Sequence, residues 1–449
     1  MGASTSKKEN LPQSSSPTKR NVDLSRFAAR VDNVNVSGLG RTHDDYVNRA
    51  VRNLFKAKTF NEVVLEVKTS IKQLEELGIY KSLRASIDIS RGENATENGY
   101  EVSFDGVELS RLTGKIGTEI GQNEGAVTVE VASPNLFGRG ERLTVHGSYS
   151  NHKTTDINIK LTKPYYHTIL GDFKPETSII LSKYTAEFPW SKYRTDNLGL
   201  ILDAAFWLPA QVHHNVQLET SIREIGLTAR QVPLVLRKNC GPRLATILRH
   251  TCTIDERDST IYPSRGIFLR STQEIAGFAG GNVGYTSTNT HAELNVPLFA
   301  GISAQFCGRI GLLRPAKMSP PVPISSLFTL GGPQSLRGYV MAGAGEHVDG
   351  IAVGAHSYMA AGAHLWAPLP FFSRQGFANL FRLHFFLNCG KTDSFVLDAT
   401  NLASSMGVGM ALRMGERARI EFNYCEPLTS KNSHFFKKGF QFGIGYDFI

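Results

Sequence analysis

The chain has 449 residues, 41% hydrophobic and 20% charged, enough for two or three ordinary domains or for one small domain with a large β structure, and apolar enough that most of it should fold. A net charge of +9 spread without a basic block argues against a nucleic-acid surface. Five cysteines with no CxxC pair and no histidine at ligand spacing argue against a disulfide framework or a zinc site, and no cofactor is expected.

Residues 1–27, starting MGASTSKKENLPQSSSPTKR, lack the apolar core of about 7–15 residues that a signal peptide needs. Glu9, Pro12, Pro17 and Asp23 interrupt any amphipathic presequence, so the segment reads as a disordered tail. Gly2 with Ser6 fits the loose myristoylation pattern, which a Ser-rich tail also meets by chance. No run of about 18 apolar residues occurs, so no transmembrane helix is expected.

Residues 28–110 read as a small α/β domain. VDNVNV alternates as a strand, Thr42 with Asp45 opens a helix, and a second helix starts at Thr59 with Glu62 and stops at Gly78. Val63, Val67, Ile71, Leu74 and Leu77 form its apolar face. Strands follow at Leu83–Ile89 and Tyr100–Phe104. This β-α-α-β-β order, with LGIYKSLRASIDI entering the second strand, resembles a polypeptide-transport-associated (POTRA) domain, a module that binds extended chains by strand addition.

From residue 111 to 449 the pattern has period two. Val127, Val129 and Val131 share one face; Ile157, Ile159 and Leu161 oppose Asp156, Asn158 and Lys160; Ile420, Phe422 and Tyr424 oppose Arg419, Glu421 and Asn423. Alternation alone also fits a soluble sandwich. Scale separates the two: the segment accommodates roughly sixteen strand-and-loop units of about 21 residues, each able to supply the 9–11 residues that cross a bilayer as a tilted strand. In the last strand Phe440, Phe442, Ile444, Tyr446 and Phe448 are expected on a lipid-facing side, opposite Gln441, Gly443, Gly445 and Asp447. No catalytic motif is present, and the adjacent His213 and His214 face opposite sides of a strand, so the chain is not read as an enzyme.

Four motifs in order make a resemblance specific: SPNLFGRGERL from Ser133, DERDSTIYPSRG from Asp255, LRGY from Leu336, and KKGFQFGIGYDF near the end. With the POTRA-like domain, they resemble the outer-membrane assembly-factor superfamily and, within it, the barrel subunits of the mitochondrial sorting and assembly machinery. The resemblance implies a mainly β fold: a 16-stranded antiparallel transmembrane β-barrel preceded by one α/β POTRA domain. It implies insertion and folding of β-barrel precursors in the mitochondrial outer membrane, with the N-terminal domain in the intermembrane space. The implied partners are precursor proteins, accessory subunits and membrane lipid. A passive outer-membrane pore and a polypeptide-export channel are the alternatives.

The same resemblance assigns residues. Arg337, Gly338 and Tyr339 become the tip of a loop that folds back and latches onto the inner wall. The family often carries acids at two places that here hold His364 and Asn388, and Glu421 is a candidate substitute. Lys437, Gly439, Phe442 and Ile444 match the β-signal pattern. The first strand, with Gly114, Gly117 and Gly121, and the last, with Gly439, Gly443 and Gly445, are expected to meet at a seam that glycine weakens.

Overall fold

In the computed structural model the described residues are 27–91, 95–120, 125–150, 154–166, 168–317, 322–370, 376–393, 402–415, 418–429, 435–445 and 448. The expected tail up to residue 26, and Gly121, lie outside them. The chain divides into two compact units, Met1–Gly40 with Val47–Glu108, and Arg41–Tyr46 with Leu109–Ile449.

The elements of the N-terminal region are β1 (Arg30–Ser37), α1 (Asp44–Val51), α2 (Phe60–Glu76), β2 (Tyr80–Ile89) and β3 (Gly99–Glu108). Local chemistry sets the ends of α2. The Thr59 hydroxyl accepts from the Glu62 N–H at 3.3 Å, and the Glu62 carboxylate accepts from the Lys58 N–H at 2.8 Å, satisfying two donors that the first turn leaves open. Gly78, at φ +67, lets the chain leave the helix. Val63, Val67, Leu74 and Leu77 are buried, as the spacing predicts. β1 runs parallel to β3 and β2 antiparallel to it, giving the order β1-β3-β2.

The second unit is one sheet of sixteen strands. They are β4 (Thr113–Ile120), β5 (Gly125–Ser133), β6 (Arg142–Ser150), β7 (Thr155–Pro164), β8 (Glu176–Phe188), β9 (Tyr193–Leu208), β10 (Val212–Leu227), β11 (Gly241–Asp255), β12 (Gly266–Ala276), β13 (Tyr285–Pro297), β14 (Ser303–Pro315), β17 (Ser357–Pro368), β18 (Phe381–Thr392), β19 (Ala403–Met414), β20 (Ala418–Pro427) and β21 (Gly439–Gly445). A two-stranded ribbon, β15 (His347–Val348) and β16 (Ile351–Ala352), sits in the connection from β14 to β17. Each sheet strand pairs antiparallel with its sequence neighbours, and the order runs from β21 at one edge to β4 at the other. All five cysteines are free.

The burial pattern of this sheet is the reverse of a soluble sandwich. Leu200, Ile222, Phe385 and Phe422 are exposed, whereas Asn197, Glu219, Arg419 and Glu421 on the alternate positions are buried. Water-facing sheets place their apolar side inward; here the loop-bearing face carries the charges and the opposite face the hydrocarbon. The loop packs through three apolar clusters: Leu330, Leu336, Tyr339 and Ala344 with Tyr358, Ala360 and Ala403; Val322 with Ile247, Tyr285 and Leu313; Ile324 and Ile351 with Tyr193 and Ile225. One loop thus touches strands far apart in the order.

Replacing Thr59 by Ala is expected to cost about 1 kcal/mol, read as faster hydrogen exchange of the first-turn amides of α2 with the sixteen-stranded unit unaffected.

Candidate functional site

The loop turns at Gly331 and Gly332, both at positive φ, where the Gly331 N–H donates to Ser335 Oγ and the Gly332 N–H to Leu336 O. That turn presents the next residues to the buried face of β19 and β20. Gly338 has φ +83, and a Cβ added to it would stand 3.1 Å from Ser405 Cβ, so both conformation and close approach call for glycine.

Arg337 is fully buried. Its Nε and Nη2 both donate to Glu421 Oε2, at 3.0 and 2.8 Å. The other oxygen of Glu421 accepts from Arg419 Nε at 2.8 Å, and Asn423 Nδ2 donates to Oε2 at 2.9 Å. One carboxylate is thus shared by two guanidinium groups. Aromatic faces cover the cations: Arg337 lies 5.2 Å from the Phe386 ring and 5.4 Å from Phe448, and Arg419 lies 4.7 Å from Trp366 and 4.6 Å from Phe448. The DERDSTIYPSRG motif forms the turn from β11 to β12, and its Ile261 carbonyl accepts from Arg419 Nη1 at 2.9 Å. Ser405 Oγ donates to the Arg337 carbonyl, and the Tyr339 hydroxyl to Ser404 O.

Of the three partner positions expected for Arg337, Glu421 on β20 makes the ion pair. His364 and Asn388 are buried on the same face. His364 Nδ1 lies 2.8 Å from His384 Nε2, and the His384 ring stacks on Trp366 at 4.0 Å. His384 Nδ1 lies 3.3 Å from Asn423 Oδ1, so the stack joins the Glu421 network through Asn423.

The loop also holds β21. Gln334 Nε2 donates to the Ile444 carbonyl, the Lys437 N–H donates to Gly338 O at 2.7 Å, and the Gln441 carboxamide meets Gly338 and Tyr339. Pro333 packs over Gly443, 3.0 Å from where its Cβ would stand, and Gln334 over Gly445. Two seam glycines therefore make room for the loop. Gly439 has open space at its Cβ position, as has Gly114, while an added Cβ at Gly117 meets Thr128 at 3.1 Å.

The expected lipid-facing row of the last strand is corrected in part. Phe440 and Phe442 are 81% and 42% exposed, but Ile444 and Phe448 are 9% and 4% exposed. Pairing is described as far as Gly445, and the Phe448 ring lies against Gly443, beneath the two arginines, on the loop-bearing face. Tyr446 lies outside the described residues.

The two edges differ. On β4, Ile116 is 82% exposed, and Lys115, Gly117 and Thr118 are exposed with it. β21 is covered by the loop on one face. Among the described residues no backbone ladder joins them. The contacts of Gln334, Gln441 and Ser405, and the inward side of Phe448, are not read from the sequence. The available signal was that Gln441 shares a face with Gly443, and Gln334 stands three residues before Arg337.

Replacing Glu421 by Gln leaves two buried guanidinium groups without a counter-charge and should destabilise by about 3–5 kcal/mol. The double replacement Arg337→Met with Glu421→Met should cost clearly less than the sum of the two singles. Urea unfolding of the detergent-solubilised chain measures both, and additive losses would mean that the pair is not coupled.

A profile described as the Omp85 superfamily domain matches residues 135–448. A SAM50-like protein of Drosophila melanogaster is 47% identical over 430 residues, 95% of this chain and 96% of that one. The sorting and assembly machinery component 50 homolog of Homo sapiens is 37% identical over 434 residues, 93% and 90% of the two chains. The crystal structure of BamA from Haemophilus ducreyi lacking POTRA domains 1–3 matches with a TM-score of 0.76 at 16% identity, over 93% of this chain and 84% of that one, a likeness of fold alone. CdiB from Acinetobacter baumannii matches less well, with a TM-score of 0.51 at 11% identity over 93% of this chain and 73% of that one. The chain belongs to the Omp85 superfamily, in the family of the sorting and assembly machinery component 50 proteins.

Proposed function

We propose that the chain inserts and folds β-barrel precursor proteins into the mitochondrial outer membrane, recognising a client's β-signal and exchanging strands at a seam where β4 and β21 close the sheet into a barrel. The observation that carries this reading is the inequality of the edges: the described positions 114–118 of β4 are exposed while the loop braces β21. A bare strand edge is a pairing template. In hydrocarbon each unpaired backbone group costs several kcal/mol, so the seam opens as a client strand takes the place of β21 against β4. Nothing is hydrolysed. The free energy comes from the client's own hydrogen bonds and the transfer of its apolar face to lipid.

The exposed apolar face of the sheet supports a lipid environment, and the names of the relatives support a sorting and assembly role. In this reading residues 28–110 form a POTRA-type domain in the intermembrane space that receives extended precursors, Arg337, Gly338 and Tyr339 latch the loop inside the lumen, and accessory subunits complete the complex. Lys437, Gly439, Phe442 and Ile444 are the chain's own β-signal, which a client's signal imitates.

Cysteines scanned along β4 (113–120) against β21 (439–445) should give disulfide pairs in the resting protein. Locking the seam should stop client insertion, and reduction should restore it. Insertion at the unlocked rate through a locked seam contradicts strand exchange. A passive pore would conduct equally in both states.

A further inference from the structure

The loop holds one side chain of β21 in a way that defines a ligand. Gln441 is buried, and its carboxamide is gripped at both ends by loop backbone: Oε1 accepts from the Gly338 N–H at 2.9 Å, and Nε2 donates to the Tyr339 carbonyl at 3.0 Å. A donor and an acceptor side by side, facing one strand position, match a primary carboxamide. A carboxylate there satisfies the N–H but confronts the carbonyl oxygen. An ammonium does the reverse, and an alkyl group bonds to neither.

The pair is also fixed without help from Gln441. On one side Arg337 is bound to Glu421 and its carbonyl to Ser405 Oγ; on the other the Tyr339 hydroxyl donates to Ser404 O. These anchors belong to β19 and β20 and remain when β21 moves, although the Lys437 N–H on Gly338 O and the Phe448 ring over Arg337 leave with it. Gln441 stands two residues after Gly439, the glycine of the β-signal pattern.

We propose that the Gly338–Tyr339 backbone pair is a carboxamide-binding site that reads an extended strand two residues after its signal glycine. Gln441 occupies it at rest, and the glutamine of a client strand occupies it when that strand displaces β21. The inference rests on the strand-exchange reading above and adds a specificity that the β-signal pattern does not contain. It makes Gln441 a competitor: a client strand that lacks the group displaces a satisfied occupant and puts nothing in its place.

The test uses the full chain reconstituted in lipid vesicles and one urea-unfolded β-barrel precursor, with Gln, Glu or Leu two residues after its signal glycine. Insertion is followed by protease protection and corrected for spontaneous insertion of each precursor into protein-free vesicles. The Gln precursor should insert about tenfold faster than the Glu and Leu forms. Gln441→Leu in the chain should speed all three precursors by a similar factor and leave the gap in place, because the resting occupant no longer competes. Equal rates for the three precursors, with insertion otherwise normal, overturn the carboxamide site and leave strand exchange standing. Failure of every precursor to insert overturns strand exchange, and the site with it.

Discussion

Glu421 is a carboxylate placed between two guanidinium groups where water does not reach, and the rest of the site follows from that placement. Taking Arg337 and Arg419 out of water costs several kcal/mol per ion, recovered only when geometry supplies enough partners. Here both oxygens of Glu421, the Ile261 carbonyl and the faces of Phe386, Trp366 and Phe448 supply them. The loop tip has one position that satisfies Arg337, and in that position Gly338, Tyr339, Pro333 and Gln334 come up against the end of the chain. A buried charge on one strand thereby decides how firmly another is held.

The sheet is built to be unequal at its edges. Its apolar side chains face outward and its polar ones face the loop, so strand stability depends on an apolar surrounding and on complete backbone pairing. The loop covers the last strand through side chains and backbone, while the described positions 114–118 of the first strand are exposed. In the proposed function this asymmetry separates two tasks: β4 offers a template, and β21 keeps the place until a client strand competes for it.

Much of this was legible in the sequence, because strand parity has period two and survives any detail of packing. Alternation separated Phe422 and Tyr424 from Arg419, Glu421 and Asn423, and so placed Glu421 on the face where Arg337 finds it. Thr59 with Glu62 announced a helix start that needs nothing beyond the local chain. The rest depended on the loop's path. Gln334 on Ile444, Gln441 on Gly338 and the stack of His384 on Trp366 require register and tertiary approach. Glycine is ambiguous in the same way: Gly443 reads as a weak pairing position, yet it also admits Pro333 and the Phe448 ring. Alternation puts Phe448 on the lipid side, yet its ring is buried beneath the two arginines, a placement that depends on tertiary approach.

The central claim is that the Arg337–Glu421 pair holds β21 through the loop, and residue-resolved hydrogen exchange of the wild type against Arg337→Ala tests it most directly. The account predicts that the amides of β21 exchange at least about tenfold faster in the variant, since losing a buried charge-assisted pair costs about 1.5–3 kcal/mol, while β8, β9 and β10 keep their protection. Unchanged protection of β21, or a loss spread evenly over all strands, would contradict it.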